Sequence, residues 1–234
     1  MKKFVLPILG LLMLLLSGCN KPGDNILSFG AIPAIVGFDY TMFRPTLMTS
    51  SGTLLASDMN DANMQGNAVL AYFDINYDKQ PNQEYITASV LGWYVVGKEL
   101  PQYGEAVADD ADIPIFNMDK YDEFEYDNGR YVIFFNFEHY EEDLDGEISY
   151  EMFYNLDEET DDDIPVVYVK ARKTGNAKPN FMPGVYAFEM TYYLMNIYEK
   201  KMFNIKFKKG VVDGKDVYEN WSENPFRPLF FDAE

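Results

Sequence analysis

The sequence predicts an all-β protein, a small N-terminal barrel followed by a C-terminal β-sandwich, on three observations. Beyond residue 25 the apolar residues recur with a period of two rather than 3.6. The alternating runs are rich in β-branched and aromatic residues, the chain holding 18 Tyr, 18 Phe and 2 Trp in 234. Gly, Asn, Asp and Pro bound these runs every ten residues or so, the pattern of short strands joined by turns. No internal repeat of fixed length is present.

The first element is a targeting segment. Met1-Lys2-Lys3 is a positive n-region, and Phe4 to Leu16 is an apolar stretch too short to span a bilayer comfortably. Residues 1–18 therefore read as a signal peptide. The run Leu16-Ser17-Gly18-Cys19 resembles the lipobox of bacterial lipoproteins. That resemblance implies that Cys19, the one cysteine of the chain, is linked to diacylglycerol and becomes the new N-terminus. Such a chain is anchored to a membrane by lipid while the rest of it stays in water. Residues 19–25 are polar and rich in turn formers and read as a tether to the folded body.

Residues 26–100 hold the predicted barrel. Ile35 to Leu55 supply two or three short strands, and Ala68 to Tyr77 pairs with Glu84 to Val96 across the loop Asp78-Lys79-Gln80-Pro81-Asn82-Gln83. Five strands in this span suit a small barrel. Residues 101–210 hold the predicted sandwich. Glu123 to Tyr126 and Arg130 to His139 flank Asp127-Asn128-Gly129, a sequence that supplies the positive φ of a tight hairpin turn. Ile148 to Leu156, Pro165 to Lys173, Val185 to Asn196 and Met202 to Lys208 continue the strand pattern. Val185, Phe188, Tyr192 and Met195 also fit one face of a helix, which is the alternative for that segment. Residues 211–234 form a hairpin tip at Asp213-Gly214 and a tail from Trp221 to Glu234.

The run AVLAYFDINYDKQPNQEYITASVLGWYVV, followed by Asp112-Ile113-Pro114-Ile115, resembles the NigD-like family of Bacteroidetes lipoproteins. The likeness covers roughly residues 26–209 and rests on strand order and spacing. It implies that the N-terminal barrel is OB-like and that the second half is a β-sandwich. It supplies no catalytic residues. The long acidic insertions and the tail depart from the family pattern.

Composition excludes several functions. With 38 acidic residues against 19 basic, the chain is unsuited to nucleic acid. One Cys and one His cannot build a structural zinc site or, once Cys19 carries lipid, a Cys–His catalytic pair. The acidity is local: residues 105–163 hold 22 acids and 2 bases, whereas residues 164–234 hold 8 acids and 11 bases. The acids crowd into three loops, at Asp109 to Asp112, Glu141 to Glu147 and Asp157 to Asp163. One reading makes these solvated loop tips facing the Lys/Arg-bearing strands of 170–209, where opposite-charge pairs contribute only ~0.2–1 kcal/mol each. The other reading is a Ca2+ site at Glu141, Asp143 and Asp145 with Gly146, an echo of a calcium loop. That echo opens on Glu rather than Asp and has Met152 where a bidentate Glu belongs.

The aromatics are expected mainly in strand cores, with Trp93, Tyr192, Tyr193 and Trp221 as candidates for exposed platforms that stack on sugar rings. His139 reads as a surface histidine, and Asn220-Trp221-Ser222 as a chance sequon. With so many acids a glycosidase-like carboxylate pair can be chosen anywhere and specifies nothing. The expected function is a non-enzymatic binding or accessory subunit, held at the outer membrane by Cys19, with either membrane face possible. Its partner would be another envelope protein; a surface glycan module is the alternative, and a carboxylate-based hydrolase a third.

Overall fold

The protein, represented by a computed structural model, is described over residues 25–59, 64–80, 85–105, 109, 111–127, 129–139, 147–159, 164–175, 184–197 and 199–232. In chain order the first strands are β1 (Ile26–Asp39), β2 (Arg44–Thr49), β3 (Gly52–Ala56), β4 (Ala68–Asn76), β5 (Ile86–Glu99), β6 (Gln102–Tyr103) and β7 (Asp112–Ile113). They are followed by β8 (Asn117–Tyr126), β9 (Arg130–Glu138), β10 (Glu147–Glu159), β11 (Pro165–Gly175), β12 (Val185–Glu189), β13 (Asn204–Val212) and β14 (Lys215–Asn220). One short helix, α1 (Thr191–Asn196), follows β12. The all-β class expected from the sequence is the class observed.

The strands form two sheets. Eight run in the order β3-β2-β1-β4-β5-β12-β9-β8, and six make a second sheet, β14-β13-β11-β10-β6 with β7 against β11. A parallel pairing of β3 with β5, Leu54 opposite Ile86 and Ala56 opposite Ala88, brings the ladder back on itself. β1 to β5 are thus joined in a closed circuit of pairings, β1-β2-β3-β5-β4 and back to β1. The end of β5 then pairs with β12, Gly97 opposite Tyr186, so the eight-stranded sheet takes strands from both before and after residue 100.

Alternation along the strands sets three apolar interiors. Val69, Ala71, Phe73 and Ile75 of β4 point into the circuit with Ala34, Val36, Leu47, Ala88 and Val90. The opposite faces, with Ile35, Ala68, Leu70 and Val96, pack outward against Phe124, Val132, Phe134 and Ala187. The other side of β9, Tyr131, Ile133, Phe135 and Phe137, meets Tyr150 and Met152 of β10, Val167 and Val169 of β11 and Phe207 of β13. The layer β8-β9-β12 is therefore covered on both faces, which is why β9 is apolar almost without alternation, buried at five consecutive positions from Tyr131 to Phe135. Each such side chain contributes about 1.5–3 kcal/mol on burial.

The tips sit where expected. Asp213 and Gly214 join β13 to β14 with positive φ of 52 and 74, the pairing of angles that a two-residue hairpin turn requires. The strand expected over Val185 to Asn196 stops at Glu189. Arg130 begins the partner strand β9, and the last ladder-like bond, Met190 N–H to Tyr131 O at 2.8 Å, leaves nothing further to pair with. The chain turns into α1 at Met190, with Tyr131 N–H donating to Thr191 Oγ at 2.7 Å, and buries Tyr193 and Leu194. The tail from Trp221 closes the large interior. Phe203 and Phe226 form a β-bridge, Trp221 donates its indole N–H to Met118 O at 2.7 Å, and Phe231 is buried.

Candidate functional site

An open groove of about 520 Å3 lies where the β2–β3 turn, strand β8 and the C-terminal tail meet. The turn is tightened by Thr49, whose hydroxyl donates to Gly52 O at 2.9 Å. It is tied across the groove by Ser50 Oγ donating to Asp122 Oδ2 at 2.8 Å. Strand β8 carries a bulge between Lys120 and Asp122 that turns Tyr121 out of the ladder. The Tyr121 ring is 45% exposed, and its hydroxyl donates to Ala31 O at 2.9 Å in the matching irregularity of β1. Leu229 and Phe230 of the tail form the opposite wall.

Glu123 is the buried acid of this groove, 4% exposed. It accepts from Lys120 Nζ and from the Tyr131 hydroxyl, both at 2.5 Å, and from Leu229 N–H at 3.5 Å. Burial, reinforced by the Glu123 carboxylate, holds the Tyr131 phenol well above its ordinary range, so it stays a donor.

Two further clusters fix the layers around it. Where β5, β12, β9 and β8 lie side by side, Glu189 accepts from the Tyr126 hydroxyl at 2.8 Å and Arg130 Nε at 3.0 Å, with Arg130 Nη2 on the same carboxylate and Lys98 at 3.7 Å. Burial pushes the Glu189 carboxyl up, but the bonds from Arg130 and Tyr126 outweigh it and hold the group below the usual carboxylate range. In the second sheet, Asp112 Oδ2 sits 2.6 Å from Lys170 Nζ and 2.8 Å from Lys208 Nζ, and Lys208 also reaches Asp216 at 2.7 Å. The side chains of Asp112, Lys170 and Lys208 are no more than 3% exposed.

These positions revise several sequence expectations. Asp112 is not a solvated loop tip; it is buried and faces lysines of β11 and β13, as the pairing half of that reading foresaw. Tyr193 is 1% exposed and cannot be a platform. Trp221 is half-buried with its indole N–H engaged, and Trp93 packs onto the interior of the circuit. Of the four nominated rings only Tyr192 is open, at 70%. His139 is half-buried rather than a free surface residue. Its Nδ1 lies 2.7 Å from Pro114 O, so that nitrogen carries the hydrogen, and in the neutral ring Nε2 accepts from the Tyr150 hydroxyl at 2.8 Å. Cys19, the calcium candidates Glu141, Asp143 and Asp145, and Asp161 to Asp163 lie outside the described residues. Among the described residues no group of three or more His, Cys, Asp or Glu is arranged to hold a metal ion. No described helix is long and apolar enough to cross a membrane.

Sequence reading missed Lys120, Glu123, Arg130 and Glu189. Their signal was present: Lys120 and Arg130 are the two bases of the acidic segment 105–163, and each is paired with a buried glutamate.

No protein-family model and no curated protein match this sequence. The fold is shared with solved structures from Parabacteroides and Bacteroides species. It is similar to an uncharacterised protein from Parabacteroides merdae, with TM-score 0.62 and 17% identity over 83% of this chain and 95% of that one. It is also similar to a candidate lipoprotein from Bacteroides fragilis, with TM-score 0.52 and 12% identity over 83% of this chain and 96% of that one. A NigD-like immunity protein from Bacteroides caccae matches at TM-score 0.45 and 14% identity over 86% and 94%, too distant to carry an argument. At these identities the shared property is the fold.

Proposed function

We propose that the protein is a lipid-anchored envelope protein, attached to the outer membrane through Cys19, that serves as a non-enzymatic binding or accessory subunit. The groove between the β2–β3 turn, β8 and the tail is its contact site for another envelope protein. The observation that carries this reading is Glu123: the acid buried in the groove accepts from Lys120, Tyr131 and the Leu229 amide, which ties strand β8, strand β9 and the tail into one braced wall for a partner to rest on. The exposed Tyr121 ring and the acids Asp122 and Glu125 beside it offer an amphipathic surface of the kind partners bury. The circuit order β1-β2-β3-β5-β4 supports reading residues 26–100 as an OB-like barrel, with the layers β8-β9-β12 and β10-β11-β13-β14 as the sandwich.

Crosslinking and pull-down of the lipidated protein from its own envelope tests this. A single stoichiometric partner, lost on Tyr121→Ala, is the expected result; no partner at all overturns it. The glycan reading is favoured by the same tyrosine beside two carboxylates. Retention on envelope polysaccharide that Tyr121→Ala abolishes would put it first.

A further inference from the structure

The open end of the strand circuit at which the chain enters carries an apolar rim. Leu27 is 47% exposed, Tyr77 41% and Ile86 40%. Backbone contacts hold the three at one end. Leu27 pairs with Ile75, which is buried inside the circuit, and Ile86 pairs with Leu54 of β3. The turn Tyr77–Lys79 is pinned on one side to Asn25, whose carbonyl accepts from Tyr77 N–H at 2.9 Å and whose N–H donates to Asp78 Oδ2 at 2.9 Å. On the other side Gln80 accepts from Thr87 N–H at 2.7 Å and donates to Asn76 O at 2.7 Å. Lys79 is exposed on the same turn, and the Asp78 carboxylate beside it is engaged by Asn25.

We infer that this rim, Leu27, Tyr77 and Ile86 with Lys79, rests on the surface of the lipid bilayer. The inference relies on lipidation at Cys19, part of the function proposed above. Residues 19–25 are seven, and a chain of that length spans at most ~25 Å fully extended. Its body-side end is Asn25, fixed against Tyr77, so the anchor keeps this end of the circuit within that reach of the lipid. An apolar rim with a tyrosine and a lysine is the composition that settles at the headgroup level. The charge distribution agrees, because 30 of the 38 acids follow residue 104 and only 8 lie in residues 19–104, the part that would face lipid phosphates.

The test uses the full lipidated chain on vesicles of phosphatidylethanolamine and phosphatidylglycerol. With Cys19 occupied by lipid, Ile86→Cys provides a single thiol for an environment-sensitive fluorophore. Val212→Cys, at the β13–β14 tip and 62% exposed, provides the control. A blue shift at position 86 with quenching by brominated acyl chains, and neither at position 212, is the expected result, and Leu27→Asp should abolish the shift while the protein still sediments with vesicles. Equal, water-like emission at both positions in sedimenting protein overturns the docking and leaves the anchor standing. Protein that stays in the supernatant overturns both.

Discussion

Replacing Asp112 by Asn removes the carboxylate that faces both Lys170 and Lys208 at 2.6 and 2.8 Å and that Arg172 also reaches. Lys170 and Lys208 are almost fully buried, and after the change the carboxylate facing both is that of Asp216, at 3.8 and 2.7 Å. Breaking a buried pair from one side costs about 3–5 kcal/mol, because the surviving charge stays out of water without its counterpart. Asp216 already touches Lys208, so the lower end of that range applies, and Lys170 bears most of the loss. At roughly 2–4 °C per kcal/mol for a chain of this size, the melting temperature should fall by at least about 6 °C. Thermal and urea unfolding followed by circular dichroism measure it. Adding Lys170→Met to Asp112→Asn removes the stranded charge and should recover part of the loss, since the pair couples. The pH dependence has a definite sign. Burial pushes the Asp112 carboxyl up, but the bonds from Lys170, Lys208 and the Asp109 amide outweigh it and hold the group below its ordinary range. A carboxyl depressed in the folded state contributes stability that is complete above the unfolded value near ~3.9 and is lost as pH falls through the folded one. The parent should therefore lose stability more steeply than the variant below about pH 4. A single variant within about 1 kcal/mol of the parent, or a double variant that is simply additive, would refute the reasoning.

Three other outcomes follow from the same geometry. Glu123→Ala strands the buried Tyr131 hydroxyl, at about 1–3 kcal/mol for a buried donor left unmet, and urea unfolding should show it; a loss under about 1 kcal/mol would mean that water enters the groove freely. At Gly97 an added Cβ would lie 1.9 Å from the Tyr186 ring, which is packed in the large interior. Gly97→Ala should therefore cost about 1–3 kcal/mol by displacing that ring, and an unchanged melting temperature would show that the β5–β12 junction yields. If Glu141, Asp143 and Asp145 hold Ca2+, millimolar calcium should raise the melting temperature relative to chelator, and equal values dispose of the site.

Local pattern carried much of the fold. The reversal between β8 and β9, the tip at 213–214, the pairing of β4 with β5 and the strand class of nearly every described segment follow from period-two alternation and turn chemistry, which are properties of neighbours in sequence. What was not legible depends on partners remote in the chain. Nothing local to Val185–Asn196 says that its antiparallel partner strand begins only at Arg130, and so the change from β12 to α1 is set by a tertiary limit. The groove was invisible for the same reason: Ser50 and Asp122, or Glu123 and Leu229, are joined only once β8 lies over the β2–β3 turn and the tail returns. The acidic segment was legible as an imbalance but not as a set of pairs, because Asp112 finds its lysines in β11 and β13.

Glu123 joins the groove to the tail, which ties binding to folding. Glu123 accepts from the Leu229 amide while Phe230 packs edge-on against Tyr131, the phenolic partner of that carboxylate. The wall that Leu229 and Phe230 give the groove therefore exists only while the tail is docked. Anything that binds this groove and not an undocked tail must favour docking, by RT ln(1 + [L]/Kd), or about 2.7 kcal/mol at a hundredfold excess over Kd. The stabilisation would be read at the tail itself, as slower amide exchange at Leu229 and Phe231, whose N–H groups face Glu123 and Pro228 O. A partner that binds elsewhere on the molecule would raise global stability without slowing exchange at those two amides below the rest. The contrast locates the contact even before the partner is known, and protection at the tail that is unchanged by a bound partner would remove the groove as its site.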